Sequence, residues 1–274
     1  MNYVGSDAEF QHITTMRLKQ MKKKGEKIAC LTAYDALTAS LFDDAGIDLI
    51  LVGDSLGNIV QGHETTIPVT IEDIIYHTKA VVKGALRPMI VADMPFMSYQ
   101  VSPEEAFRNA GRIMKETGCN AIKLEGGKLV VDAIERLTEA GIPAMGHLGL
   151  TPQSINIFGS YRARGRSEEE AKKIYDDALM LEKAGAFAIV LEKIPAELGK
   201  KISEAISIPT IGIGAGPHCD GQILVYTDML GLTIDFNPRF VRRYAHLADQ
   251  IKSAVINFSD DVKNKEFPNL DESY

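Results

Sequence analysis

Residues 48–62 read DLILVGDSLGNIVQG, an apolar run that stops abruptly on Gly53, Asp54 and Ser55. A strand that is apolar on both faces belongs in a parallel sheet with helices packed on either side. A carboxylate at the rim of such a strand is costly unless something pairs with it. Runs of the same kind recur along the chain: KIACLTA (27–33), PMIVADM (88–94), NAIKLEG (120–126), IPAMGHL (142–148), AFAIVLE (186–192), IPTIGIG (208–214) and ILVYTDM (223–229). Between most of them lie segments with apolar residues at three- and four-residue spacing, including TIEDIIYHTKAVVKG (70–84) and SEEEAKKIYDDALMLEKAG (167–185). Thr70 and Ser102 stand where N-caps belong, and Gly84, Gly118, Gly141 and Gly185 where helices should stop.

Strand and helix in strict alternation imply parallel neighbours joined by crossovers. Eight such units in about 200 residues predict a closed (β/α)8 TIM barrel, with an open Rossmann-type sheet as the alternative. The expected layout is one domain over residues 1–274, with the barrel at about 25–235. ITTMRLKQMKKKG (13–25) adds an N-terminal helix whose basic end reads as a solvated face. A C-terminal amphipathic helix is expected at about 239–258, followed by a mobile tail.

The composition narrows the function. The 274 residues are 45% hydrophobic and 24% charged, the balance of a globular protein. A net charge of −7 argues against nucleic acid or an anionic membrane as partner. No run reaches the roughly 20 apolar residues of a membrane span, and MNYVGSDAEFQHITT has no signal-peptide core. Cys30, Cys119 and Cys219 are too few and too scattered for a disulfide framework or a zinc site, so a reducing cytoplasm is expected.

In a barrel of this kind, functional side chains collect where the strands end. Those ends carry Asp54 with Ser55, Asp93, Glu125, His147 and Glu192. Carboxylates from separate strands converging on one mouth would repel severely without a cation. With no zinc-type cluster present, the expected ion is Mg2+, which takes carboxylate, water and substrate oxygens. Lys123 lies two residues before Glu125, so strand alternation puts both on one face. There it could hold a substrate carboxylate or form a Schiff base. Asp35, before ALTASLF, reads as a helix cap, and His63 as a residue that orders its loop. His147 is open between a structural role and a substrate contact. GIGAG (212–216) lacks the continuation of a dinucleotide site, and after a seventh strand suits close approach of a ligand or backbone.

Taken together, these residues resemble the ketopantoate hydroxymethyltransferase family over about residues 14–265. The resemblance is carried in register by LVGDSLGNIVQGHETTIPVT, VADMPFMSY, KLEGG, GHLGLTPQSINIFGSYRARGR and GIGAGPHCDGQILVYTDMLGL. It implies a TIM barrel of the phosphoenolpyruvate mutase/isocitrate lyase kind. The implied reaction is Mg2+-dependent transfer of a one-carbon unit from 5,10-methylenetetrahydrofolate to 3-methyl-2-oxobutanoate. The products would be 2-dehydropantoate and tetrahydrofolate, on the route to pantothenate and coenzyme A. By the same resemblance Asp54, Asp93 and Glu125 hold the metal. Asp54, Ser55, Asp93 and Lys123 hold the oxoacid, His147 lies near it, and Glu192 is the proton acceptor. A homo-oligomer, a decamer of two five-membered rings, is implied as well. The competing readings are a Schiff-base aldolase using Lys123, a carbon–carbon lyase acting on a 2-oxoacid or a phosphonomutase, and a non-catalytic oxoacid-binding or assembly protein. The last leaves Glu192 without a task, since binding needs no spare base.

Overall fold

The computed structural model describes residues 12–274. The chain forms two compact units, one ending at Leu224 and one spanning Val225–Tyr274.

The first unit is a (β/α)8 barrel. Its strands are β1 Ile28–Thr32, β2 Leu49–Val52, β3 Met89–Asp93, β4 Ala121–Glu125, β5 Ala144–Gly149, β6 Ala188–Glu192, β7 Thr210–Ile213 and β8 Gly221–Leu224. They pair in chain order, all in parallel, and β8 closes on β1. Helices Ala36–Asp44, Ile71–Gly84, Pro103–Thr117, Val131–Glu139, Glu168–Lys183 and Ala196–Ala205 supply the crossovers. Their starts follow local chemistry. Asp35, Thr70, Ser102 and Ser167 each accept a backbone N–H of the first turn, and Thr70 forms a reciprocal capping box with Asp73.

The apolar core at the strand starts includes Ile28, Leu49, Met89 and Ala121, together with Leu18 and Met21 of the N-terminal helix Thr15–Lys24. That helix therefore plugs the barrel end opposite the functional one. Its basic end is not simply solvated: Lys22 Nζ lies 2.8 Å from Asp220 Oδ2 and donates to the carbonyls of Ser203 and Ile208.

Three details depart from the expected layout. The eighth strand begins at Gly221, before the apolar run, and 226–229 turns into a short helix instead. A Cβ at Gly221 would stand 2.6 Å from the Ile28 carbonyl oxygen, so only glycine lets β8 approach β1 this closely. No helix joins β7 to β8, and the glycine loop there serves close packing: a Cβ at Gly216 would meet Ala196 Cβ at 2.5 Å. Gly84 ends its helix from inside the last turn, where a Cβ would strike the Ala36 carbonyl.

In the second unit the long helix runs Leu247–Asn264 rather than 239–258. Residues 239–246 stay out of it. The Arg243 guanidinium donates to the carbonyls of Thr233, Ile234 and Phe236, and the Tyr244 and Leu247 N–H groups donate to the Met229 and Leu230 carbonyls instead of within a helix. The tail carries a turn, Leu270–Glu272, capped by Asn269. No described helix is long and apolar enough to cross a membrane. Cys30, Cys119 and Cys219 are all free and buried.

Candidate active site

The barrel register brings the predicted residues together. Asp93 closes β3 opposite Lys123 in β4, Glu125 lies opposite His147 in β5, and Glu192 closes β6 opposite Gly149. Asp54 lies two residues past the end of β2, and its backbone N–H donates to Asp93 Oδ2 at 3.2 Å. One oxygen each of Asp54, Asp93 and Glu125 lies within 4.8 Å of the others, and all three residues are buried. Strand alternation places Lys123 as expected: its Nζ is 2.8 Å from Asp93 Oδ1 and 3.6 Å from Glu125 Oε1. Ser55 Oγ pairs with the Tyr34 hydroxyl at 2.7 Å, at the mouth beside β1. Asp35 caps its helix and takes no part in the cluster.

The open question about His147 resolves into a bridging position. Its Nδ1 is 3.1 Å from Glu125 Oε1, and its Nε2 faces Glu192 Oε2 at 3.4 Å. It thus links the carboxylate triad to a fourth acid that lies outside the triad.

The charges explain why this arrangement asks for a cation. Burial, then the neighbouring Asp93 and Glu125, push the Asp54 carboxyl well above its ordinary range. Burial also raises Asp93 despite Lys123. For Glu125 burial acts in the same sense, but His147 and Lys123 outweigh it and leave its carboxyl lowered. Burial would neutralise Lys123, yet Asp93, Glu125 and Asp54 more than offset this and hold the ammonium form. Two buried carboxyls that resist ionisation alone, beside a third held ionised, make a cluster in which a divalent ion would favour the charged form of all three.

His147 gives a pH signature. Burial and Lys123 pull it down, but the charge and hydrogen bond of Glu125, with help from Glu192, raise it to about 9. A raised folded-state value means its contribution to stability is fully present below the unfolded value of about 6.5. That contribution is lost as pH rises through the folded value, about 9. The melting temperature of metal-free protein should therefore fall over this window by roughly 5 °C more than that of His147→Asn. Equal pH slopes in the two proteins would show that the imidazole is not held charged.

Three residues at the site went unrecognised in the sequence. Tyr99 and Gln153 lie in the loops after β3 and β5 and contact the triad's own residues. Tyr161, half-exposed in the same β5 loop, has its phenol raised by burial first and then by the charges of Glu192 and Asp54. Its loop is tied to β6 because Arg164 N–H donates to the Lys193 carbonyl at 2.8 Å. All three lie within the quoted sequence blocks, but away from strand ends, where periodicity gives no direction for a side chain.

A sequence profile described as ketopantoate hydroxymethyltransferase matches residues 12–270. The chain belongs to the ketopantoate hydroxymethyltransferase family. The 3-methyl-2-oxobutanoate hydroxymethyltransferase of Chlorobium phaeobacteroides (strain BS1) is 59% identical over 273 residues, covering 98% of this chain and 99% of its own. The protein of that name from Christiangramia forsetii (strain DSM 17595 / CGMCC 1.15422 / KT0803) is 57% identical over 266 residues, covering 97% and 98%. Among solved structures, 2,3-dimethylmalate lyase, a PEP mutase/isocitrate lyase superfamily member, superposes with a TM-score of 0.60. It is 15% identical and covers 95% of this chain and 88% of its own. Phosphonopyruvate hydrolase in complex with oxalate and Mg++ gives a TM-score of 0.56 at 12% identity, covering 94% and 92%. At such identities these structures speak to the fold of this family member and not to its chemistry.

Proposed function

We propose that the protein transfers a one-carbon unit from 5,10-methylenetetrahydrofolate to 3-methyl-2-oxobutanoate with uptake of one water, giving 2-dehydropantoate and tetrahydrofolate. The observation that carries this reading is the separation of roles at the barrel mouth. Three buried carboxylates cluster to hold a cation, while Glu192 stands apart from them, joined through His147. The family relatives named for 3-methyl-2-oxobutanoate support the same substrate.

The physical difficulty is that a C–H beside a ketone is a very weak acid, so developing charge must be held while the proton leaves. Asp54, Asp93 and Glu125 would hold Mg2+, which supplies Lewis-acid polarisation of the keto oxygen. Lys123 faces the same pocket and offsets the charge of the substrate carboxylate. The Ser55 hydroxyl, oriented by Tyr34, keeps hydrogen-bonding capacity for the substrate. Glu192, off the triad, takes the proton from C3, with His147 Nε2 facing its carboxylate at 3.4 Å while Nδ1 meets Glu125. The nucleophilic C3 then bonds to the one-carbon unit as both of that carbon's bonds to folate nitrogens break. Water supplies the hydroxyl oxygen, and the two nitrogens take up one proton from water and the one Glu192 removed, leaving tetrahydrofolate.

A Schiff base through Lys123 needs the neutral amine, and the surrounding carboxylates hold the charged form. One experiment separates the two routes. Product should form from the oxoacid and methylenetetrahydrofolate, stop on chelation of divalent ions and return with added Mg2+. Borohydride with substrate present should trap nothing. Turnover that survives chelation, with borohydride trapping, would transfer the reaction to Lys123.

The same reading places the enzyme in the cytoplasm on the route to pantothenate and coenzyme A, in keeping with its free cysteines. It also makes the protein a homo-oligomer, a decamer of two pentamers. The helix Leu247–Asn264, which buries none of its residues yet carries Ile251, Val255 and Phe258, supports an assembly.

A further inference from the structure

We propose that Gln153 is a positioning residue that sets the separation of Asp54 and Glu125 before any ion binds. The inference rests on the metal-site reading above. Asp54 and Glu125 come from strands that are not neighbours, since β3 lies between β2 and β4. As buried like charges they tend to spread apart, and each strand end alone has freedom to let its carboxylate turn away. Gln153 grips both. Its backbone N–H donates to Glu125 Oε2 at 3.1 Å, and its side-chain Nε2 donates to Asp54 Oδ2 at 3.0 Å.

The rest of the amide is equally committed. Nε2 also donates to the Met94 carbonyl at 2.9 Å, while Oε1 accepts from the Tyr99 hydroxyl at 2.6 Å and from Gln100 Nε2 at 3.1 Å. Both donors and both acceptor sites are thereby used, at a residue only 5% exposed. The orientation is forced as well. A flipped amide would set its oxygen against two acceptors, Asp54 Oδ2 and the Met94 carbonyl. Tyr99 locks the arrangement from the other side, because its hydroxyl accepts the Glu125 backbone N–H at 3.1 Å. The clamp spans loops after β2, β3 and β5 and the end of β4, and every bond in it serves a carboxylate or its orienter.

Outer partners of this kind set ligand geometry, and losing one weakens metal binding by about 10–100-fold. Calorimetry with Mg2+ and with Mn2+ on metal-free protein tests this directly. Gln153→Met keeps the volume and the backbone N–H but loses every side-chain bond, and should weaken binding of both ions by about 10-fold or more. Tyr99→Phe, which removes one oxygen and leaves the Asp54 contact, should weaken binding less and guards against a misfolded first variant. A positioning role also predicts that saturating Mg2+ restores much of kcat in Gln153→Met, whereas general loosening of the fold would not be rescued by metal. Affinity within twofold of wild type in both variants would overturn the proposal while leaving the metal site intact. Wild-type protein that binds neither ion would instead overturn the metal reading, and this inference with it.

Discussion

Glu192→Gln is expected to stop exchange of the C3 proton of 3-methyl-2-oxobutanoate with deuterated water, while Mg2+ and the oxoacid still bind. The substitution keeps shape and hydrogen bonding but removes the basic lone pair. General bases of this kind contribute about 10²–10⁴-fold, so exchange should fall by that order. Three features of the geometry make the separation of binding from proton transfer specific. Glu192 does not contribute to the cluster of Asp54, Asp93 and Glu125 oxygens that could hold a metal. Its side chain is more open than those of the triad, at 16% exposure, which suits a group that must meet substrate. Its nearest ionic partner is His147, whose other nitrogen is engaged with Glu125. Exchange measured by proton NMR without folate isolates this half of the reaction from one-carbon transfer. Exchange at the wild-type rate in Glu192→Gln would move the base to another residue.

Asp93→Asn should lose metal and oxoacid together, with metal affinity down by about 100-fold or more, since a direct ligand outweighs the outer partners. Asp93 does three things at once. It offers an oxygen to the triad, it faces Lys123 Nζ at 2.8 Å, and it accepts the backbone N–H of Asp54. Removing its charge leaves the Lys123 ammonium buried with less compensation. Breaking one side of a buried pair costs about 3–5 kcal/mol, so a lower melting temperature should accompany the binding defect. Asp54→Asn separates these effects, because Asp54 has no direct ionic contact with Lys123 among the described residues. It should lose metal affinity with a smaller thermal penalty. Calorimetric affinities equal to wild type in both variants would remove the carboxylates from metal binding altogether.

Much of the site could be read one strand at a time. Asp54, Asp93, Glu125 and Glu192 each end an apolar run, and in a parallel barrel all such ends open on the same side. The pairing of Lys123 with Glu125 follows from the two-residue repeat of a strand, which sequence shows directly. Tyr99 and Gln153 obey no such repeat. Their loops have no fixed periodicity, so nothing local says whether a glutamine in LTPQS faces water or the buried carboxylates. The His147 bridge was out of reach for a similar reason. Its alignment with Glu125 is a matter of register between neighbouring strands, and one residue of slip would turn the imidazole to the other face.

The same division runs through the fold. Alternating apolar runs and amphipathic segments were enough for eight parallel strands, because burial of both sheet faces imprints itself on every strand's composition. They were not enough for the start of β8, where Gly221 is selected by the approach of the Ile28 backbone and carries no apolar signal. Nor did they reveal that 239–246 lie outside the C-terminal helix, where Arg243 bonds a carbonyl ten residues away. Local patterning, then, determined the barrel, the acids at its mouth and the lysine beside them, since each depends on burial or alternation within one segment. Tertiary structure alone decided which loop residues clamp those acids and which imidazole joins them, because hydrogen bonds across strands depend on distances that no single segment encodes.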